Sequence, residues 1–509
     1  MRSKLFLGMF LASLGAAALG STACGGDTTE GGSGGTGGST SSSSSSSSSG
    51  STSSSSSGST SSSSSSSSSG TVLPDGCGDT LATAVELTPN DGQGAQCQLP
   101  DPTADVRVFK FAGLKGQIIN IQTDAKPASA EFDPTYLDLV VTLVDSQDKQ
   151  IAQNDDPPIR GTNDSTIYTV LPADGDYYIK VEECSKVFGT ASCSPADQIL
   201  TFDFAIGVGT IDPTVPADNP NFTFEGTAGN DTTATAQPVA FAKNTNGQYY
   251  ISQIVGGFSA AADVDVYEVD VPADFSDPAG PESYPTATFM PLMWGTDAMG
   301  STAPIGALRV VDSADLTKSV ALLDYANAGN PVGIDIAMPI TLGHKYYLFV
   351  QRPAGATAGA NDFYFVWNYG GTSNPLEQDE AGNNAAAGAE ALADAMNPNF
   401  LAQYFIEGDL DTGDVDHFSF TVPTGAKLLA VSCGAQRSGS GVRGLTWTVV
   451  GVNGATATEA VGTDAFKSDM DISGVAAGTN LTVRLDAKTA PDANVTSRFY
   501  RCGIALSAE

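Results

Sequence analysis

The sequence predicts an all-β protein: three tandem antiparallel β-sandwiches carried behind a leader that cannot fold. Three observations carry this reading. After residue 74, strand formers and Gly, Pro, Asn and Asp dominate, while long runs of helix formers are scarce. Short segments there alternate apolar and polar side chains, or form brief apolar runs, between Gly, Pro, Asp and Asn clusters. The pattern also recurs three times, with a period of roughly 145 residues. The ~435 residues after the leader suit about three domains of ordinary size.

The leader comes first. Arg2 and Lys4 form a short basic region, and residues 5–19 an apolar stretch too short to span a bilayer, as in a signal peptide. Gly20-Ser21-Thr22-Ala23 then lead to Cys24. Ordinary cleavage after Ala23 and lipidation of Cys24 are both open from these residues. A cysteine placed directly after small residues resembles a bacterial lipobox, although Ser21 stands where Leu is usual. That resemblance implies removal of residues 1–23 and a diacylated Cys24 as the membrane anchor.

Within residues 24–74, positions 25–70 are almost entirely Gly, Ser and Thr, with serine tracts at 41–49 and 61–69. They cannot bury apolar surface and are read as a disordered tether. Some 50 such residues span roughly 35–42 Å root-mean-square.

Seven cysteines are an awkward number for an exported chain. With Cys24 set aside, six remain as sequence-local pairs: Cys77 and Cys97, Cys184 and Cys193, Cys433 and Cys502. An oxidising compartment favours such disulfides, and other pairings stay open at this level. No spacing matches a metal-binding CxxC.

The first repeat (75–210) opens at Cys77-Gly78-Asp79-Thr80. It continues through ADVRVFKF (104–111), GQIINI (116–121), YLDLVVTLVD (136–145), NDD (154–156) and LPADGDYYIKV (171–181). In the last of these, Pro presets φ and Gly supplies positive φ ahead of a strand. The second repeat (221–371) echoes it with NDTTATA (230–236), ADVDVY (262–267), VVDS (310–313) and LGHKYYLFV (342–350). The third (373–509) is the most diverged, with GDVDHFSF (413–420) and AGTNLTV (477–483).

These segments together resemble the bacterial pre-peptidase C-terminal domain. That is a jelly-roll-like β-sandwich appended to many secreted proteases, similar in architecture to the collagen-binding domains of clostridial collagenases. The resemblance implies binding modules, and no peptidase domain accompanies them in this sequence.

The net charge of −34, from 57 acidic and 23 basic residues, repels nucleic acid and anionic membrane, so neither is an expected partner. Catalysis finds little support. The two histidines, His344 and His417, fall in different repeats, which argues against a zinc hydrolase centre, and there is no GxSxG elbow. Trp294, Trp367 and Trp447 alternate with apolar residues and read as core. Residues 438–441, Ser-Gly-Ser-Gly, read as a hairpin loop, and Asn154-Asp155-Asp156 as another loop.

The acidic residues are more informative. Asp263/Asp265 and Asp414/Asp416 are i,i+2 pairs at strand starts, so each pair shares one face. They are either solvated strand ends or cation ligands. The family resemblance implies calcium, held between an acidic opening segment and the aspartates of this strand. In the second repeat that set is Glu225, Asn230 and Asp231 with Asp263 and Asp265. In the third it is Glu377, Asp379, Glu380, Asn383 and Asn384 with Asp409, Asp411, Asp414 and Asp416. The first offers Asp79 and Asp105, but Arg107 replaces the second aspartate.

The expected protein is therefore a non-catalytic, monomeric lipoprotein, exported and lipid-anchored to the bacterial outer membrane or cell surface. Its modules are expected to bind extracellular protein or a glycan polymer, with Ca²⁺ as cofactor. The competing readings are an accessory or divergent member of a secreted peptidase system, and a purely structural stalk.

Overall fold

A computed structural model describes residues 76–508 apart from 91–93, 102, 125–137, 156–164, 190–202, 212–221, 227–228, 240–241, 244–249, 259–262, 273–284, 292–304, 325–335, 357–362, 373–381, 396–399, 453–454 and 460–466. Cys24, Cys193, Trp294, Glu377 and Asp379 lie outside the described residues. Among the described residues, no helix is long and apolar enough to cross a membrane.

The chain is almost wholly β, and one strand order appears three times. In the first sandwich one sheet runs Val85–Glu86, Arg107–Gly113, Gly175–Glu183, Leu139–Asp145, Gln150–Asn154. The facing sheet runs Ala95–Gln98, Asp203–Ile211, Ile118–Asp124, Thr166–Val170. The second repeats this with Gln237–Pro238, Val264–Asp270, Lys345–Gln351, Ala307–Asp312, Ala321–Asp324 against a sheet containing Tyr250–Gly256, Tyr364–Thr372, Pro285–Pro291 and Ile336–Pro339. The third pairs Glu390–Ala391, Val415–Thr421, Asn480–Thr489, Arg443–Val450, Thr456–Thr458 with Ala402–Asp409, Phe499–Ser507, Leu428–Gly434, Lys467–Asp471.

The long strands pair antiparallel, but the short opening strand of each repeat joins its sheet in parallel: Val85 opposite Phe109, Gln237 opposite Tyr267, Glu390 opposite Phe418. A two-residue strand leaves room for that reversal without a crossover helix.

Each sandwich closes over its own core, because alternate residues of facing strands point inward. In the first, Phe109 on one sheet meets Phe204 on the other edge to face, with ring centroids 6.2 Å apart. Disulfides join Cys77 to Cys97 and Cys433 to Cys502. Cys184 is also disulfide-bonded. Gly175, Gly343 and Gly478 occupy corresponding turns with φ of 154°, 77° and 83°, the backbone that the sequence assigns to the first of them.

The three sandwiches meet at two joints. Between first and second, the outer faces of two sheets pack through Ile118, Tyr168, Phe363, Phe365 and Trp367. Tyr168 stacks on Phe365 with centroids 5.0 Å apart. Trp367 is buried as its alternation predicts, but against the neighbouring sandwich rather than inside its own.

Between second and third, the edge strand Ala321–Asp324 is capped by backbone from the third sandwich. Leu322 N–H donates to Gly439 O at 2.8 Å, Thr496 N–H to Ser319 O at 2.9 Å, and Ser497 N–H to Val320 O at 3.0 Å. Residues 438–441 are thus not an isolated hairpin: a short 3₁₀ turn, Gln436–Ser438, delivers them to this joint.

Gly439 has φ of 84°, and a Cβ there would lie 3.2 Å from Ala321 Cβ and 3.3 Å from Ile336 Cγ1. Gly439→Val is expected to cost roughly 1–3 kcal/mol from backbone strain alone, with steric overlap added. Calorimetry should then show the transitions of the second and third sandwiches moving apart. An unchanged thermogram would count against a rigid joint.

Candidate functional site

The strand Val264–Asp270 turns Asp265, Tyr267 and Val269 inward, and Asp265 is only 1% exposed. A carboxyl at a core position needs polar company. It comes from the facing sheet, where Tyr364 donates from its hydroxyl to Asp265 Oδ2 at 2.7 Å. The hydroxyls of Tyr267 and Tyr364 lie 2.5 Å apart. With Tyr364's proton committed to Asp265, Tyr267 is the donor of that second bond.

A three-group chain therefore crosses the sandwich. Gly256 makes room for it: a Cβ there would lie 2.2 Å from Tyr364 Oη and 2.6 Å from Tyr267 Oη.

Further carboxyls converge on Asp265. Glu225 follows the strand Phe222–Phe224 and is pinned by Gly257 N–H, which donates to Oε2 at 2.6 Å. Glu225 interacts directly with Asp265, and Asp263 and Asp231 act on it through their charges. Glu225, Asp231, Asp263 and Asp265 thus lie within reach of one another's charge, with Glu225 and Asp265 in direct contact.

Burial pushes the Asp265 carboxyl up to about 8, and the charges of Glu225 and Asp263 push the same way, against the pull of the Tyr364 hydrogen bond. Glu225 is raised too, chiefly by burial. Burial lifts the Tyr267 and Tyr364 phenols well above their ordinary value, so both stay neutral donors.

Such a cluster holds its charge only if a proton or a cation compensates it. The donors are all hard oxygens, and Asp265 Oδ1 is buried without a hydrogen bond from any N–H or hydroxyl. Hard oxygens are the donors Ca²⁺ takes, six to eight at a time, and they offer nothing to a soft metal; no three of these carboxylates bring ligand atoms within 4.8 Å of one another.

The third sandwich repeats the cross-sheet bond. Tyr500 donates to Asp416 Oδ2 at 2.7 Å, and Asp416 is fully buried. Asp414 lies beside it on the half-buried strand start, where its Oδ1 accepts from Val415 N–H at 2.9 Å. Asn384 Oδ1 accepts from the same N–H at 3.2 Å. Asn383 is buried, and its backbone oxygen lies 2.9 Å from His417 Nδ1. Asp411 is exposed, its carbonyl closing the turn with Asp414 N–H at 3.2 Å.

In the first sandwich Arg107 takes the corresponding strand position and is buried at 2% exposure. A fixed cation at this place removes the reason for a metal.

The tyrosines were missed by sequence reasoning. Their signal was available: Tyr364 and Tyr500 sit at matching points of the last strand of their repeats. Pairing them with Asp265 and Asp416 required the register of facing sheets.

Two other groups are accounted for by the fold. His344 Nδ1 pairs with Asp312 Oδ2 at 2.8 Å. Asp138, Asp155 and Cys184 each bring a ligand atom within 4.8 Å of the others, but Cys184 is disulfide-bonded and has no thiolate to offer.

The strands from Arg107 to Glu183, with the turn at Gly175, are where the likeness to a known family falls. Residues 105–183 match the model of the bacterial pre-peptidase C-terminal domain. The first sandwich is similar to that domain over those residues. The match covers well under half of the chain, and the other two sandwiches share its strand order. No curated protein matches the chain.

Solved structures with some likeness include the tandem CBM51 modules of a family 98 glycoside hydrolase from Streptococcus pneumoniae, at 11% identity over 51% of this chain and 84% of that one, TM-score 0.15. Another holds the M60 catalytic domain with two CBM51 domains of Clostridium perfringens ZmpB, at 8% identity over 82% of this chain and 34% of that one, TM-score 0.15. A third is the glycosylasparaginase PNGase F from Flavobacterium meningosepticum, at 10% identity over 51% and 96%, TM-score 0.18. Likenesses this slight say nothing about ligand or chemistry.

Proposed function

We propose that this chain is a non-catalytic binding protein whose pre-peptidase C-terminal-like sandwiches hold extracellular protein or polysaccharide, with Ca²⁺ stiffening the second sandwich. The observation that carries the reading is the coupling of Glu225 to Asp231, Asp263 and the buried Asp265, hard oxygens whose charge needs a proton or a cation to offset it. Binding rather than turnover is supported by the histidines: one pairs with Asp312, the other with a backbone oxygen, so neither is set as a general base beside a nucleophile.

Cys24 and the Ser/Gly tether support presentation of these modules from a lipid anchor at the outer membrane or cell surface. The two packed joints favour, as a second reading, a stalk that spaces a partner from the membrane.

Calcium titration of the purified chain against its chelator-treated form tests the cation. At a calcium concentration 100 times its dissociation constant, stabilisation by about 2.7 kcal/mol is expected, read as a rise in melting temperature of the second sandwich. A melting curve indifferent to calcium removes the cation from the proposal. Retention on a polymer panel of collagen, chitin and peptidoglycan tests binding, and flow-through on all three supports the stalk.

A further inference from the structure

On the outward face of the second sandwich Arg309 stacks on an aromatic ring, and none of the described residues forms an ion pair with it. Arg309 and Phe349 are directly opposite on paired strands, with Leu322 on the far side of Arg309. The guanidinium carbon of Arg309 sits 4.1 Å from the centroid of the Phe349 ring, a cation–π contact. Tyr347, two residues before Phe349, shares the face at about 7 Å along the strand. All four residues are partly buried.

Among the described residues, Arg309 makes no hydrogen bond and no ion pair, and its Nε is buried without an acceptor. This is unusual in a chain with 57 acidic residues to 23 basic ones. Neighbouring bases are matched: Lys345 pairs with Glu268 at 2.6 Å on the same sheet. Burial displaces the Arg309 pKa downward; the same sheet carries Glu268, whose Oε2 lies 3.5 Å from the Tyr347 hydroxyl, and Asp324, opposite Ala307.

We propose that the Arg309–Phe349–Tyr347 face binds an acidic saccharide with about one carboxylate per repeat unit. The assignment rests on the binding role proposed above and names its ligand class. The planar guanidinium fork matches a carboxylate through two parallel N–H···O bonds, and the stack on Phe349 holds it in place. The two rings offer a flat apolar surface for the C–H face of a sugar, next to the polar fork. Sparse charge follows from the acidic surface around the face. A net charge of −34 repels a dense polyanion, while a single local contact survives because distant charges are screened beyond ~10 Å.

The test uses the full mature chain and three probes in titration calorimetry at physiological salt. These are hyaluronan oligosaccharides, which alternate glucuronate with N-acetylglucosamine; chitin oligosaccharides, the neutral counterpart; and poly-glutamate, the peptide counterpart. Hyaluronan oligosaccharides are expected to bind and the other two not. Arg309→Gln is expected to weaken binding about tenfold or more, with Arg309→Lys in between because it keeps charge and loses the fork. The site points outward, so both variants should keep the parent's melting temperature.

Equal binding by the parent and Arg309→Gln overturns the assignment, as does equal binding of poly-glutamate, which would make the face a peptide site. Retention on collagen or chitin that survives Arg309→Gln also removes this face while leaving the wider binding role intact.

Discussion

Asp265→Asn is expected to flatten the pH dependence of the second sandwich and to abolish its stabilisation by calcium. The sign follows from the raised carboxyl. Asp265 titrates near 8 in the folded protein and near ~3.9 when unfolded. Between those values the folded state binds the extra proton, so stability falls as pH rises. It is fully present below pH ~4 and lost through pH ~8, where it levels off.

A shift this large corresponds to on the order of 4 kcal/mol, after allowing for the share carried by Glu225. Asparagine keeps an oxygen to accept from Tyr364 and carries no charge to bury, so the slope should largely vanish, leaving the smaller part due to Glu225. Urea midpoints in chelator from pH 4 to 8 measure this directly. Superimposable pH curves for the two proteins would show that Asp265 does not carry the load.

Calcium reverses the parent's trend, because it takes the proton's place and favours the ionised cluster. The parent should therefore regain at pH 8, with calcium, most of what it loses without. The variant should not, since it has lost the central ligand.

Trp447→Ala is the second large effect, expected to cost about 3–5 kcal/mol in the third sandwich. Trp447 is fully buried on the same strand as Leu445 and Val449, in the core that also holds Tyr500 and the Cys433–Cys502 bridge. Against a domain stability of ~5–15 kcal/mol, that is a third or more of the total.

Trp447→Phe separates volume from polarity. The indole Nε1 is buried without an acceptor, a burden of roughly 1–3 kcal/mol that phenylalanine does not carry. The smaller ring should therefore cost little. Denaturant unfolding of the third sandwich tells the two apart, and an alanine variant as stable as the parent would mean the core collapses into the gap.

Much of this was legible in the one-dimensional pattern because period-two alternation is local. The strand Val264–Asp270 announces its inward face by every second residue, and the Gly175 turn announces its backbone by composition. Asp263 and Asp265 are two residues apart on one strand, and the opening segment lies beside them, Asn230 O accepting from Val266 N–H at 2.8 Å. What was not legible depends on partners far away in sequence. Trp367 looked like core and is buried, but no local pattern says whether an apolar strand face meets its own facing sheet or the next sandwich. Residues 438–441 looked like a turn, and nothing nearby indicates that Gly439 is held against Ala321.

The sequence by itself determined the all-β class and the repeating strands, since each follows from side-chain alternation and turn chemistry over a few residues. Only the tertiary structure decided that Tyr364 and Tyr500 clamp Asp265 and Asp416, that two joints pack the sandwiches together, and that Arg309 stacks on Phe349. Each of these is a contact between strands distant in the chain, and its energy depends on the register and burial that the assembled sheets impose.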